Sequence, residues 1–198
     1  RVMLQIATGE EAGGADRSIL EAWVEKQAQA GKRIAGVVTF EAKGRKFVRI
    51  LSTREEKMLQ LNDIGEEELA KMAEHKKLRA TESKSTDSVF KSSTVEQASQ
   101  AFDRPVCVVG PFVFDNEVLA CARRELLTAI ENPVDILVVD EIGPLEVKRG
   151  EGLEPAFKHC VSSRDKMHIV VIVRPNLWEY FGEVYGCSAD MGRMDFAK

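Results

Sequence analysis

The sequence is poor in cysteine, in histidine and in long apolar runs, and each shortage excludes a class of protein. The four cysteines lie far apart without a CxxC pair, and with only three histidines they match none of the usual zinc-site spacings. The longest apolar run, residues 169–173, is far shorter than the roughly 20 residues of a membrane helix. We therefore expect reduced thiols, no membrane association and, since residues 1–4 lack signal-peptide character, a cytoplasmic location.

Charge of one sign is also lacking. The chain has 28 basic and 32 acidic residues, interspersed along its length, and a net charge of −4. It has no basic patch of the kind that binds nucleic acid, so no nucleic-acid partner is expected. Its length of 198 residues and 44% hydrophobic content suit a single globular domain, which we predict to span residues 1–198.

Apolar segments of strand length alternate with segments of helical periodicity. The predicted strands are residues 2–8, 34–40, 46–51, 106–109, 135–140 and 169–173, and the predicted helices are residues 17–30, 119–130 and 153–161, with a last helix from about 177 to 184. Strands that are apolar throughout and separated by helices predict a mostly parallel sheet covered on both faces, an α/β three-layer sandwich. Residues 34–40 and 46–51 flank a Lys-Gly turn and predict an added β-hairpin.

Residues from about 53 to 104 differ in composition from the rest of the chain. This region is rich in Ser, Thr, Lys and Gln and offers few apolar residues to bury. It is predicted to be a polar surface insertion in the single domain.

An acidic pair, Asp140 and Glu141, follows the most apolar part of one predicted strand. Right-handed crossovers place the carboxyl ends of parallel strands at one edge, where ligands of open α/β sheets bind. The glycine-rich residues 9–16 follow the first strand and belong to the same predicted edge. A carboxylate at such a position can help to hold Mg²⁺, and a second can orient or deprotonate the attacking water, as in a Walker B motif. The alternative is an ordinary strand that meets solvent.

The segment that contains these acids is Asp-Glu-Ile-Gly-Pro-Leu-Glu, residues 140–146. It resembles the signature of the thermophile-type nucleoside-triphosphatases, which include the cancer-related nucleoside-triphosphatase. Residues 36–41 and 109–115, and Thr8-Gly9-Glu10, are similar to further segments of that family in order and approximate spacing. The resemblance implies a P-loop NTPase-type fold, Mg²⁺ as cofactor, ATP or GTP as ligand and phosphohydrolase activity. In that family pattern Asp140 is a metal ligand and Glu141 a catalytic residue.

The predicted phosphate loop departs from the P-loop pattern G-x-x-x-x-G-K-[ST]. Gly9 and Gly14 have the required spacing, but the lysine and the Ser/Thr are replaced by Ala15 and Asp16. Losing one preorganised transition-state donor typically costs about 3–4 kcal/mol. Gly-rich loops at helix N-termini still bind anions through backbone N–H groups, so binding is expected to survive better than hydrolysis. The predicted nucleotide-binding residues are Gly9, Gly13, Gly14, Ala15, Asp16, Arg17 and Ser18.

Two details of this loop stay open. Asp16 is a second predicted Mg²⁺ ligand beside Asp140, although it adds negative charge next to polyphosphate. In a longer loop, Arg17 and Ser18 would imitate the missing Lys-Ser pair, but Asp16 would then stand where the pattern has glycine.

Two hypotheses of different classes follow. In the first, the protein binds a nucleoside triphosphate or phosphate and hydrolyses it weakly or not at all. In the second, it is a catalytically inactive relative that serves as an interaction or structural subunit and docks a protein partner through residues 53–104.

Overall fold

The computed structural model describes residues 4–8, 15–64, 92–173, 175–187 and 191–193. The strands in these ranges are β1 (Leu4–Thr8), β2 (Ile34–Ala42), β3 (Arg45–Ile50), β4 (Glu56–Met58), β5 (Val106–Val109), β6 (Phe112–Asp115), β7 (Ile136–Ile142), β8 (His168–Val173) and β9 (Met191–Arg193). The helices are α1 (Ala15–Gln29), α2 (Ser92–Phe102), α3 (Asn116–Glu131), α4 (Pro144–Arg149), α5 (Glu154–Ser162) and α6 (Trp178–Val184), with a short 3₁₀ turn at Pro175–Leu177.

A seven-stranded sheet in the order β4-β3-β2-β7-β8-β1-β9 forms the centre of the fold. Five strands, β2, β7, β8, β1 and β9, run parallel to one another. β3 pairs antiparallel with β2, and β4 pairs antiparallel with β3 at the edge of the sheet. β5 and β6 form a separate two-stranded antiparallel sheet. The predicted α/β class, the mostly parallel sheet and the added hairpin are confirmed.

Helices cover both faces of the large sheet. On one face, Leu20 of α1 packs against Val38, Val138 and Val170, with Trp23 at the margin. The opposite face has the larger core, which joins the sheet to α3, α4, α5 and α6. Its fully buried members include Leu126, Leu137, Val139, Phe157, Val171 and Phe181. Alternate residues of β7 and β8 therefore face opposite helical layers, as expected for strands buried on both sides.

Gly36 allows β2 to lie close to β7. Its φ is +121°, a conformation that side-chain-bearing residues rarely adopt, and a Cβ there would lie 2.8 Å from the backbone nitrogen of Val138. The Gly36 N–H also donates to Glu125 Oε1 of α3 at 3.0 Å. The close approach of β2 to β7 and to α3 therefore explains why a glycine stands within this strand.

Several elements differ from the predicted ones. Helix α3 begins at Asn116, three residues before its predicted start, because Asp115 caps it by accepting the N–H groups of Glu117 and Val118. The region 53–104, predicted to be a polar surface insertion, contains β4, which extends the sheet, and α2. Leu59 and Gln60, which follow β4, are buried. None of the helices in the described ranges has the length and apolar character needed to cross a membrane.

Candidate functional site

The carboxyl ends of β1 and β7 lie at the same edge of the sheet. β8 lies between them and is parallel to both. Thr8 at the end of β1 is in register with Val173 of β8, and Val173 is in register with Ile142 of β7. The two strand ends are therefore level with each other and separated by two strand spacings, about 10 Å.

The N-terminus of α1 points to this same edge. Only six residues separate Thr8 from Ala15, where α1 begins. The helix then runs back along the sheet, because Glu21 pairs with Arg49 of β3 at 2.7 Å and Glu25 lies 3.7 Å from Arg54 in the turn after β3. A helix N-terminus supplies free N–H groups and a partial positive charge, which favour anions.

The predicted phosphate-loop residues are described only in part. Gly9, Gly13 and Gly14 lie outside the described residues. The backbone of Ala15, Asp16 and Arg17 forms the first turn of α1, and Ser18 follows with an exposed side chain. The roles of all seven in nucleotide binding stay predictions, as do those of Asp140 and Glu141.

Asp140 is a buried acid at the end of β7, only 1% exposed. Its Oδ2 accepts the N–H of Thr39 from neighbouring β2 at 3.3 Å, and its carbonyl oxygen accepts the Thr39 hydroxyl at 2.7 Å. These contacts join the acid to the end of β2.

Glu141 is partly exposed and follows a cis peptide bond from Asp140. Its Oε1 lies 3.6 Å from the position that a Cβ on Gly143 would occupy, and Glu146 Oε2 lies 3.7 Å from that same position. Two carboxylates, one partly exposed and one buried, therefore border the turn that leads from β7 into α4.

Glu146 is a feature that the sequence analysis did not assign to the site. It is 7% exposed, its Oε2 accepts the Gly143 N–H at 3.0 Å and its Oε1 accepts the Leu153 N–H at 3.2 Å. Burial raises the pKa of Glu146 to about 7. The backbone N–H groups of Gly143, Leu153 and Glu146 itself oppose this rise, and the nearby carboxylate of Glu141 adds to it. The available sequence signal was Gly-Pro-Leu-Glu, in which the glutamate has the N3 spacing of a capping box.

The small β5–β6 sheet is attached to the same edge. Arg149, at the end of α4, donates to the Val108 carbonyl at 3.1 Å and pairs with Glu151 at 2.6 Å. Glu151 Oε2 lies 3.7 Å from the Cys107 thiol, whose pKa rises to about 11, chiefly through burial. Such a thiol is not a nucleophile at neutral pH.

The described side chains are compatible with Mg²⁺ bound together with a polyphosphate. Hard cations prefer oxygen ligands, and Mg²⁺ is usually held by one or two carboxylates, substrate phosphates and water. Asp140 and Glu141 offer such oxygens. Within the described ranges, no cluster of three or more His, Cys, Asp or Glu side chains could hold a metal by itself. Asp140 and Glu141 would thus suit an ion that is held partly by phosphate oxygens and water.

Comparisons with known proteins place the chain in no established family. No family model matches, and no curated protein matches its sequence. Among solved structures, the chain is similar to THEP1 from the hyperthermophile Aquifex aeolicus, with 16% identity over 98% of this chain and 90% of that one, at a TM-score of 0.47. At this score the similarity supports no argument about fold or function.

Proposed function

We propose that this protein binds a nucleoside triphosphate with Mg²⁺ at the carboxyl edge of the sheet and hydrolyses it weakly or not at all. The phosphates lie at the N-terminus of α1, around residues 9–18. Asp140 is the protein ligand of the metal, with Asp16 as a second candidate. Glu141 is placed to orient the attacking water at the γ-phosphate.

One observation carries the proposal: the N-terminus of α1 and the acid pair lie at one edge, on strands whose ends are level. The predicted site would have failed if β1 and β7 had been antiparallel. A triphosphate with its metal ion would lie between these two features, with its phosphates at the first turn of α1 and the metal ion at the acids. The N–H groups of the first turn of α1 and the metal would together offset its negative charge.

Weak hydrolysis follows from the residues at the start of α1. Ala15 has no charge to stabilise the transition state, and Asp16 adds an anion. When bound, Mg²⁺ supplies a positive charge that neutralises the phosphate oxygens. The missing lysine contribution corresponds to a rate loss of about 10²–10³-fold or more.

Binding and turnover are measured separately to test the proposal. Thermal shift with Mg²⁺-ATP and Mg²⁺-GTP reports binding, and phosphate release reports hydrolysis. We expect saturable stabilisation of the wild type, little phosphate release, and a gain of at least about 10²-fold in the Ala15→Lys/Asp16→Thr variant. Glu141→Gln in that background should abolish the gained turnover and leave binding intact.

Glu117→Gln is the matched control, because Glu117 is an exposed glutamate in the first turn of α3. It changes net charge as Glu141→Gln does and should change neither readout. If millimolar nucleotide stabilises neither the wild type nor the lysine variant, the nucleotide proposal is wrong. That result favours the second hypothesis, an interaction or structural subunit that docks a partner through residues 53–104.

A further inference from the structure

Glu146 is a buried carboxylate without a cationic partner among the described residues. Its hydrogen bonds to other residues come from two backbone N–H groups, those of Gly143 and Leu153. Among the described residues, the charged side chain that acts on it is the anionic Glu141. A buried carboxyl group is costly unless its hydrogen bonds compensate. Such a residue in a short six-residue helix indicates a specific structural task.

The two donors lie at opposite ends of one chain segment. Gly143 comes two residues after Glu141, and Leu153 comes at the turn before α5. One carboxylate therefore joins the exit of β7 to the entry of α5. The small sheet is attached to this same segment through Arg149.

The backbone around Glu146 leaves little freedom to change this arrangement. Gly152 has a φ of +62°, and a Cβ there would collide with the Glu146 carboxylate and would lie 2.8 Å from Leu145 Cδ2. By contrast, a Cβ on Gly143 would make ordinary contacts with Glu141 and Glu146. The chain thus closes tightly around Glu146 on the α5 side, while the two carboxylates share the space beside Gly143.

Two contacts fix the backbone that directly follows Glu141. Ile142 is fully buried and fixes the backbone on one side of the turn, and the Gly143 N–H bond to Glu146 fixes it immediately afterwards. The Gly143 carbonyl also accepts the Val147 N–H at 3.0 Å, so loss of the Glu146 bond would loosen the amide side of the turn, where the Glu141 carboxylate lies. At metal sites, removing a hydrogen-bond partner that orients a functional side chain typically costs about 10- to 100-fold in affinity or activity, and we take this as the scale of the expected effect.

We propose that Glu146 is a positioning residue that orients Glu141 for the attack of water by fixing the turn after β7. Glu146 acts through the backbone and does not touch the nucleotide. This inference rests on the proposed function, since it concerns the same acid pair. Glu146, the last residue of the Asp-Glu-Ile-Gly-Pro-Leu-Glu segment, would then have a role in addition to capping α4.

Two readouts on the full chain test the inference. Amide hydrogen exchange of Gly143 and Leu153 reports the anchor without nucleotide, and steady-state phosphate release in the Ala15→Lys/Asp16→Thr background reports its effect on turnover. For Glu146→Gln we expect about tenfold faster exchange at one or both amides. We also expect kcat to fall about 10- to 100-fold, with the affinity for Mg²⁺-ATP changed less than about threefold.

Glu117→Gln again serves as the control and should leave exchange and kcat unchanged. Unchanged exchange in Glu146→Gln overturns the anchor, and faster exchange with unchanged kcat overturns the positioning role. A loss of affinity equal to the loss of kcat/KM also overturns it, because that pattern indicates general damage to the site. If nucleotide stabilises neither the wild type nor the background variant, the proposed function fails and this inference fails with it. Equal exchange at Gly143 and Leu153 in the wild type and the background variant then shows that misfolding of the variant is not the cause.

Discussion

At the scale of single residues, the energetics of Glu146 can be separated from its proposed role in turnover. In the folded protein its pKa is about 7, above the value of 4.5 for an unperturbed glutamate, and burial is the main cause. The folded state therefore keeps this proton over a pH range in which the unfolded chain has released it. The resulting stabilisation is complete below about pH 4.5 and is lost as the pH rises through 7.

The Glu146→Gln variant should lack this pH dependence. Between pH 4.5 and pH 8, the wild type is expected to lose about 3 kcal/mol of its free energy of unfolding through this group, whereas the glutamine variant has no proton to lose. The free energy of unfolding of both proteins is measured by urea titration at several pH values. Subtracting the value of one protein from that of the other at each pH removes the contributions of all other titrating groups. Parallel pH profiles for the two proteins would mean that Glu146 ionises normally in the folded state.

At the scale of elements, α3 connects the small sheet to the parallel strands and is capped by a residue that also contacts two other segments. Asp115 is 4% exposed, caps α3 and accepts Arg104 Nη1 at 2.9 Å. It also ends β6, and its N–H donates to the Leu59 carbonyl. The side chain of Asp115 therefore joins the start of α3 to the segment after α2, and its backbone N–H joins both to the segment after β4.

Asp115→Ala should destabilise the fold by about 2 kcal/mol, because it removes the helix cap and the arginine's acceptor. Asp115→Asn keeps an oxygen for the cap and should cost about half as much. Urea titration gives the free energy of unfolding of each variant and so tests both values. Glu117→Gln is the control and should stay within about 0.5 kcal/mol of the wild type. Equal stability of the wild type and the alanine variant would contradict the assigned cap.

The elements that sequence analysis found are those with long, regular patterns. The apolar strands β7 and β8 and the amphipathic α3 and α5 were predicted to within a few residues, because buried strands and amphipathic helices leave a clear signal. β4 was missed because it is three residues long and two of them are charged. α4 was missed because six residues, the first of them a proline, are too few to show helical periodicity.

The candidate site was predictable in outline but not in detail. The acid pair was found because Asp140 ends an apolar run, and its place at the ligand edge followed from parallel strands. The Thr39 contacts to Asp140 were not predicted, because they depend on the lateral order of β2 and β7 and their register, which chain order does not reveal. The burial of Glu146 was missed for a similar reason: it depends on how residues 150–153 fold back over α4.

At the scale of the whole molecule, the fold brings elements that are distant in sequence to one edge. β1 and β7 are separated by more than half of the chain, yet their ends are level, and the N-terminus of α1 and the small sheet lie beside them. The opposite edge is used for structural contacts, such as the Gly36 N–H and Ser52 hydroxyl bonds to Glu125. Ligand binding is therefore expected at the carboxyl edge.

Binding at this edge is tested most directly by amide chemical shifts in a ¹H–¹⁵N NMR titration of the 22.0 kDa chain with Mg²⁺ and a non-hydrolysable ATP analogue. We predict saturable shifts at both halves of the site, the first turn of α1 (Ala15 to Ser18) and the end of β7 (Asp140, Glu141 and Gly143). Mg²⁺ alone should produce smaller shifts. Saturable shifts confined to β4 and α2, or no shifts at millimolar analogue, would contradict a nucleotide site between α1 and the acid pair.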